Sequence, residues 1–172
     1  GELYAFMAVP IVLQNGIARI ETQEVFTASI GDVESDITEK SNMQLLDIAE
    51  QVKQEYENNP NVSLISLAEK YEIKEINVVN SEGWIIDSTE EDVINNYDMN
   101  SKEQSKEFVD TLKVQDSFVQ KYSPRGKDET VWRKYAAINL TNGGFIQVGY
   151  DAEQFHKMLN EFVIDVTKNR HV

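Results

Sequence analysis

Thr141-Asn142-Gly143 separates two apolar segments, VWRKYAAINL (131–140) and GFIQVGYD (144–151). Asn-Gly readily adopts the positive φ of a tight hairpin turn, so the two segments are predicted to pair as antiparallel neighbours. A second hairpin stands upstream, where EINVVN (75–80) and WIIDST (84–89) flank Ser81-Glu82-Gly83, with glycine again at the turn. SFVQKYS (117–123) alternates like a strand until Pro124-Arg125-Gly126 breaks it. These segments together predict one antiparallel sheet of about five strands.

The helices follow a different period. Phe26, Ile30, Val33 and Ile37 form an apolar stripe, and Leu45, Ile48, Val52 and Tyr56 continue it to Asn59-Pro60. That near-heptad spacing suits a helix facing a sheet or another helix, and proline ends it. A helix over 22–58 would run on the order of 55 Å at ~1.5 Å per residue, the length of a stalk. Gly31 and the capping-box pattern Ser41-x-x-Gln44 mark where it could divide in two. Ser63 can cap a short helix carrying Leu64, Leu67, Ala68 and Tyr71. Residues 90–100 read as an acidic, Asn-rich loop, and 101–112 as a polar helix with Phe108, Val109 and Leu112 on its apolar edge. After Asp151, the series Phe155, Met158, Leu159, Phe162, Val163 and Val166 defines an amphipathic helix, and Asp151 with Gln154 resembles its capping box.

With 172 residues and 41% hydrophobic content, the chain can bury a core, and strands with packed helices make an α+β domain. Its formal charge of −14 repels nucleic acid and anionic lipid, so no nucleic-acid partner is expected. The absence of cysteine removes disulfides, thiolate nucleophiles and Cys-based zinc sites. His156 and His171 are not at ligand spacing, so no metal centre is expected. Gly126-Lys127 lacks the rest of a phosphate-binding loop, and the acidic run 87–92 lacks the glycine of a calcium loop. No carboxylate pair is flanked by the other parts of a catalytic site, and neither enzymatic activity nor a cofactor is expected. The apolar run LYAFMAVPIVL (3–13) is shorter than the roughly 20 residues of a spanning helix. It is either a buried segment or the outer end of a membrane helix that begins upstream.

Alternation along 131–140 places Val131, Arg133, Tyr135 and Ala137 on one face, and Trp132, Lys134, Ala136 and Ile138 on the other. A mid-strand guanidinium must find a partner, and its fork suits a carboxylate. The partner of Arg133 is therefore either a ligand or a fixed Asp or Glu. Arg125 and Lys127, after the break at Pro124, are either lid cations or solvated charges.

Three segments, YEIKEINVVNSEGWIIDST (71–89), YDMNSKEQSKEF (97–108) and NGGFIQVGYD (142–151), resemble the Cache family, extracytoplasmic relatives of the PAS fold. The first resembles the family's opening hairpin, and the last its closing hairpin, which typically ends GxVxVGY. The tail TKNRHV (167–172) is similar to the join between the two modules of double-Cache sensors. Asn95-Asn96 departs from the pattern, since the family usually carries glycine before its YDM segment. The resemblance implies a PAS-like sheet between a long N-terminal helix and a C-terminal amphipathic helix. It also implies a pocket for a small organic solute, an amino acid or a carboxylate. Arg133 and Tyr135 would face that pocket, Asp151 would receive a ligand amine if it is not simply a helix cap, and Ser88 and Tyr97 would flank the roof loop. The implied organisation is a membrane-proximal segment (1–21), a stalk helix (22–58) and a sensor domain (59–172). The implied setting is the outer side of a membrane-anchored bacterial signalling protein: a SpoIIE-type phosphatase, a histidine kinase of a two-component system, or a chemoreceptor. The stripe from Phe26 to Ile37 suits a homodimer seam. The opposed expectation is a ligand-free module for dimerisation or protein docking.

Overall fold

The computed structural model describes residues 18–168, with side chains over 37–162. The apolar run 3–13, the tail 169–172 and the side chains of Phe26, Ile30 and Val33 lie outside those bounds. Among the described residues, 37–168 form one compact unit, which holds the whole sheet.

Helix α1 (Ala18–Asn58) is continuous through Ser41. The Ser41 hydroxyl does not cap a new helix; it donates back to the Thr38 carbonyl at 2.8 Å, so a polar group is buried without breaking the helix. Asn59-Pro60 ends α1 as predicted, and Ser63 accepts from the Ser66 N–H at 3.2 Å to start α2 (Leu64–Lys70). Next come β1 (Glu75–Val79), β2 (Ile85–Ser88), α3 (Glu103–Leu112), β3 (Ser117–Val119), β4 (Ser123–Pro124), β5 (Trp132–Asn139), β6 (Phe145–Tyr150) and α4 (Ala152–Lys168).

All pairings are antiparallel, in the order β2-β1-β6-β5-β3, with the two-residue β4 beside β5 as a sixth strand. The single strand expected over 117–123 is thus two short strands, both on β5. Gly143 sits at φ +88°, which a side chain would resist, and the turn joins β5 to β6 as the predicted antiparallel neighbours. The closing hairpin lies at the centre of the sheet and the opening hairpin beside it.

Period-two alternation sorts the strands onto two faces. One face carries Ile76, Val78, Ala136, Ile146 and Val148. It packs with Leu45, Ile48, Ala49 and Val52 of α1, Leu64 and Leu67 of α2, and Met158 of α4. The apolar stripe continued by Leu45, Ile48 and Val52 therefore finds its partner in this sheet. The other face carries Val79, Tyr135, Ala137 and Phe145 beneath Phe108, Val109 and Leu112 of α3 and Val93 and Met99 of the segment before it. Each fully buried aliphatic or aromatic side chain contributes roughly 1.5–3 kcal/mol, so both faces help hold the unit together.

Candidate functional site

On the α3 side of the sheet the apolar alternation is interrupted. Glu75 and Asn77 of β1, Gln147 of β6 and Arg133 of β5 occupy positions where the opposite face has aliphatic side chains. Glu75 is 2% exposed and lies at the centre. Its Oε2 accepts from the Tyr135 hydroxyl at 2.8 Å and from Arg133 Nε at 3.3 Å. Its Oε1 accepts from Asn77 Nδ2 at 2.9 Å and from Arg125 Nη2 at 3.2 Å. A buried carboxylate survives only with such partners, since the interior cannot replace water without them. Burial and the Glu75 charge together push the Tyr135 phenol well above its ordinary pKa, so it remains a donor.

Two segments cover this cluster. Ser88 and Glu90 open the first. The Ser88 hydroxyl donates to Asn77 Oδ1 at 2.6 Å and accepts from the Glu90 N–H at 2.9 Å, tying that segment to the sheet. Asn95 takes φ +54° within it, the left-handed conformation that asparagine tolerates better than most residues. The second segment, 125–131, carries Arg125 and Lys127. Arg125 reaches across to Glu90 with both terminal nitrogens, Nη1 to Oε1 at 3.1 Å and Nη2 to Oε2 at 2.8 Å. Lys127 adds contacts to Glu90 at 3.3 Å and Asp92 at 2.5 Å. Burial opposes the charge on Arg125, but the Glu90 hydrogen bond and the Glu75 carboxylate outweigh it and raise its pKa. Burial likewise pushes the Glu90 carboxyl up, and Arg125 and Lys127 outweigh it to hold it below its ordinary value.

Between sheet and cover lies a cavity of about 20 Å³, with Glu75, Tyr135 and Gln147 below and Val93, Tyr97 and Arg125 above. That is room for about one water molecule, and the charged groups around it are paired with one another.

The residues singled out from the sequence fall in different places. Tyr135 and Tyr97 line the cavity, and the Tyr97 hydroxyl lies 3.1 Å from Ser105 Oγ. Ser88 supports the cover through Asn77 without lining the cavity. Arg133 does not line it either; its Nε is bonded to Glu75 and its Nη1 to the Trp132 carbonyl. The fixed-acid partner is the one observed, and Arg125, from the loop, faces the cavity instead. Asp151 is set apart from this cluster. It accepts from the Gln154 N–H at 2.8 Å while Gln154 Oε1 accepts from the Asp151 N–H at 3.2 Å, a reciprocal cap of α4. It borders a separate open groove of about 510 Å³ with Ile48, Tyr71, Glu72, Tyr150 and Met158. Sequence reading missed Glu75, Asn77, Gln147 and Glu90. A signal was present for the first three: polar side chains at alternate positions of strands otherwise buried throughout.

Among the described residues, no group of three or more acidic or histidine side chains is placed to hold a metal ion. No helix of the described residues is long and apolar enough to cross a membrane.

Neither a protein-family model nor a curated protein matches the chain by sequence. Solved structures do match. An extracellular ligand-binding receptor from Desulfohalobium retbaense superposes with a TM-score of 0.52 at 11% identity, over 76% of this chain and 26% of that one. The sensory domain of the Campylobacter jejuni chemoreceptor Tlp3, with isoleucine bound, superposes with a TM-score of 0.53 at 13% identity, over 83% of this chain and 63% of that one. The chain thus spans about a quarter of the first and under two thirds of the second. The likeness to these two structures is one of fold, an α+β unit around an antiparallel six-stranded sheet.

Proposed function

We propose that this chain is the extracytoplasmic ligand-sensing part of a bacterial transmembrane signalling protein, and that it binds a small organic solute, an amino acid or a carboxylate. One observation carries the reading. A buried polar cluster centred on Glu75 lies on one face of the sheet, under two loop segments joined by the ion pairs of Arg125 and Lys127. Binding residues are disproportionately carried on loops held over a rigid scaffold. The likeness in fold to a receptor domain and to a chemoreceptor domain with isoleucine bound supports it. Ligand binding would favour an open or rearranged cover, and the equilibrium would shift by the ligand's differential affinity for the two arrangements. Helix α1, whose second half packs on the sheet, would carry that shift towards a membrane anchor in the parent protein. A phosphatase, kinase or chemoreceptor output are all compatible with such a module, as is a homodimer through the first half of α1. Asp151 is assigned to the helix cap in this reading, and Arg125 joins Tyr135 and Tyr97 at the site.

A ligand-free interaction module is the second reading, and the small size of the cavity, about 20 Å³, favours it. A thermal-shift screen of amino acids, monocarboxylates and dicarboxylates separates the two. A sensor gives a concentration-dependent rise in Tm, amounting to about 2.7 kcal/mol at a hundred times Kd. No shift with any solute at millimolar concentration removes the sensor reading.

A further inference from the structure

We propose that Glu90 is a built-in occupant of the ligand site: its carboxylate holds the Arg125 fork that a solute carboxylate takes when the domain is loaded. The inference rests on the sensor reading and adds to it the ligand's anchoring group and the residue that competes with it.

Arg125 offers two parallel N–H donors, and Glu90 meets both, at 3.1 and 2.8 Å. This is the bidentate geometry in which guanidinium recognises any carboxylate. The two ends of Arg125 differ in kind. Nη2 also reaches Glu75, a carboxylate fixed in β1 and held there by Tyr135, Asn77 and Arg133 as well. Glu90 instead belongs to the cover, its side chain is about a quarter exposed, and the remaining partner of its carboxylate is Lys127, an exposed residue. Glu75 therefore stays when the cover moves, and Glu90 is the partner that can leave. Val93, which closes the cavity from above, lies in the short turn Glu91–Val93 immediately after it. Withdrawal of Glu90 thus also draws Val93 off the cavity and joins the vacated space to it. A solute carboxylate entering there restores the charge balance that Glu90 supplied, so Arg125 is never left buried beside an empty site. A solute lacking an anionic group cannot make that exchange. The ligand class that follows is a small organic acid, with its apolar part directed towards Ile85 and Met99.

The test compares the unaltered protein with Glu90→Gln and Arg125→Lys by calorimetry, using propionate and L-isoleucine beside their amides, propionamide and L-isoleucinamide. Glu90→Gln keeps the shape and weakens the competitor, so the acids bind it about tenfold or more tightly than the unaltered protein, while the amides gain nothing. Arg125→Lys keeps a charge beside Glu75 but loses the fork, and the acids bind it at least about tenfold more weakly than they bind the unaltered protein. If the unaltered protein binds any of these solutes and Glu90→Gln brings the acids no gain, the competition is wrong and the sensor reading survives. Equal gains for acids and amides also overturn it, since they would show a cover loosened without regard to charge. If none of the three proteins binds any of the four solutes, the inference falls, and the thermal-shift screen decides whether the sensor reading falls with it.

Discussion

Towards α1, α2 and α4, strands β1, β5 and β6 present Ile76, Val78, Ala136, Ile146 and Val148; one residue away along the same strands they present Glu75, Asn77, Arg133, Tyr135 and Gln147. Both sets are buried, yet they are held by different physics. The first face gains from excluding water and asks only for volume and shape. The second gains little net energy from its charges, because desolvation offsets most of the attraction, but it strongly resists the loss of any one partner. A uniformly buried sheet can thus be permissive on one face and exacting on the other. Lys134 is the exception that tests it. It belongs to the apolar face, is 5% exposed, and has no ion-pair partner among the described residues; burial alone lowers its pKa to about 8.

The largest effect expected is that of Glu75→Ala, which strands Arg125 and Arg133 in the interior and lowers stability by roughly 3–5 kcal/mol. Leu45→Ala on the opposite face leaves a cavity and costs roughly 3 kcal/mol. Chemical denaturation of both variants measures the contrast; a Glu75→Ala cost well below that of Leu45→Ala would dissolve the distinction between the faces. Arg133→Ala comes next, at roughly 1.5–3 kcal/mol, because Glu75 keeps Tyr135, Asn77 and Arg125 as partners. Its loss should be the same with and without any solute that binds, since Arg133 does not line the cavity. A loss confined to the loaded protein would return Arg133 to the site.

Lys134→Met should change stability in the opposite direction, raising it by roughly 1 kcal/mol at neutral pH. The sign follows from linkage. The folded pKa of about 8 lies below the ordinary value of 10.5, so between them the unfolded chain binds more protons and stability rises with pH. That rise should be absent from Lys134→Met in melts taken across the window. The smallest effect belongs to the cover. The Glu90 pKa is depressed from 4.5, so its contribution is present above 4.5 and is lost as pH falls through the folded value. Hydrogen exchange in 88–96 should therefore quicken at acid pH before exchange in β1 and β6 does; simultaneous loss would mean that the cover has no independent opening.

Much of the architecture was legible because its causes are local. Asn142-Gly143 needs only its own backbone preference to turn the chain, alternation needs only the period of a strand, and Asp151 with Gln154 closes a cap within one turn of helix. Even the split into two faces follows from counting residues along 131–140. The site was legible only in part. Tyr135 and Tyr97 were singled out and do line the cavity; Arg133 was singled out and does not, whereas Arg125 does. Both arginines lie near the same acid, and no local rule distinguishes them. Glu75 meets Arg125 across 50 positions of chain and Arg133 across 58. Glu90 meets Arg125 across 35. Which carboxylate answers which guanidinium depends on how two loops close over the sheet, and on the desolvation each group bears once they have closed. Backbone preferences and side-chain period act between near neighbours, and the sequence by itself determined the elements and their faces through them. Partnership among buried charges is decided by distance and solvent exclusion, which exist only when the whole unit has folded.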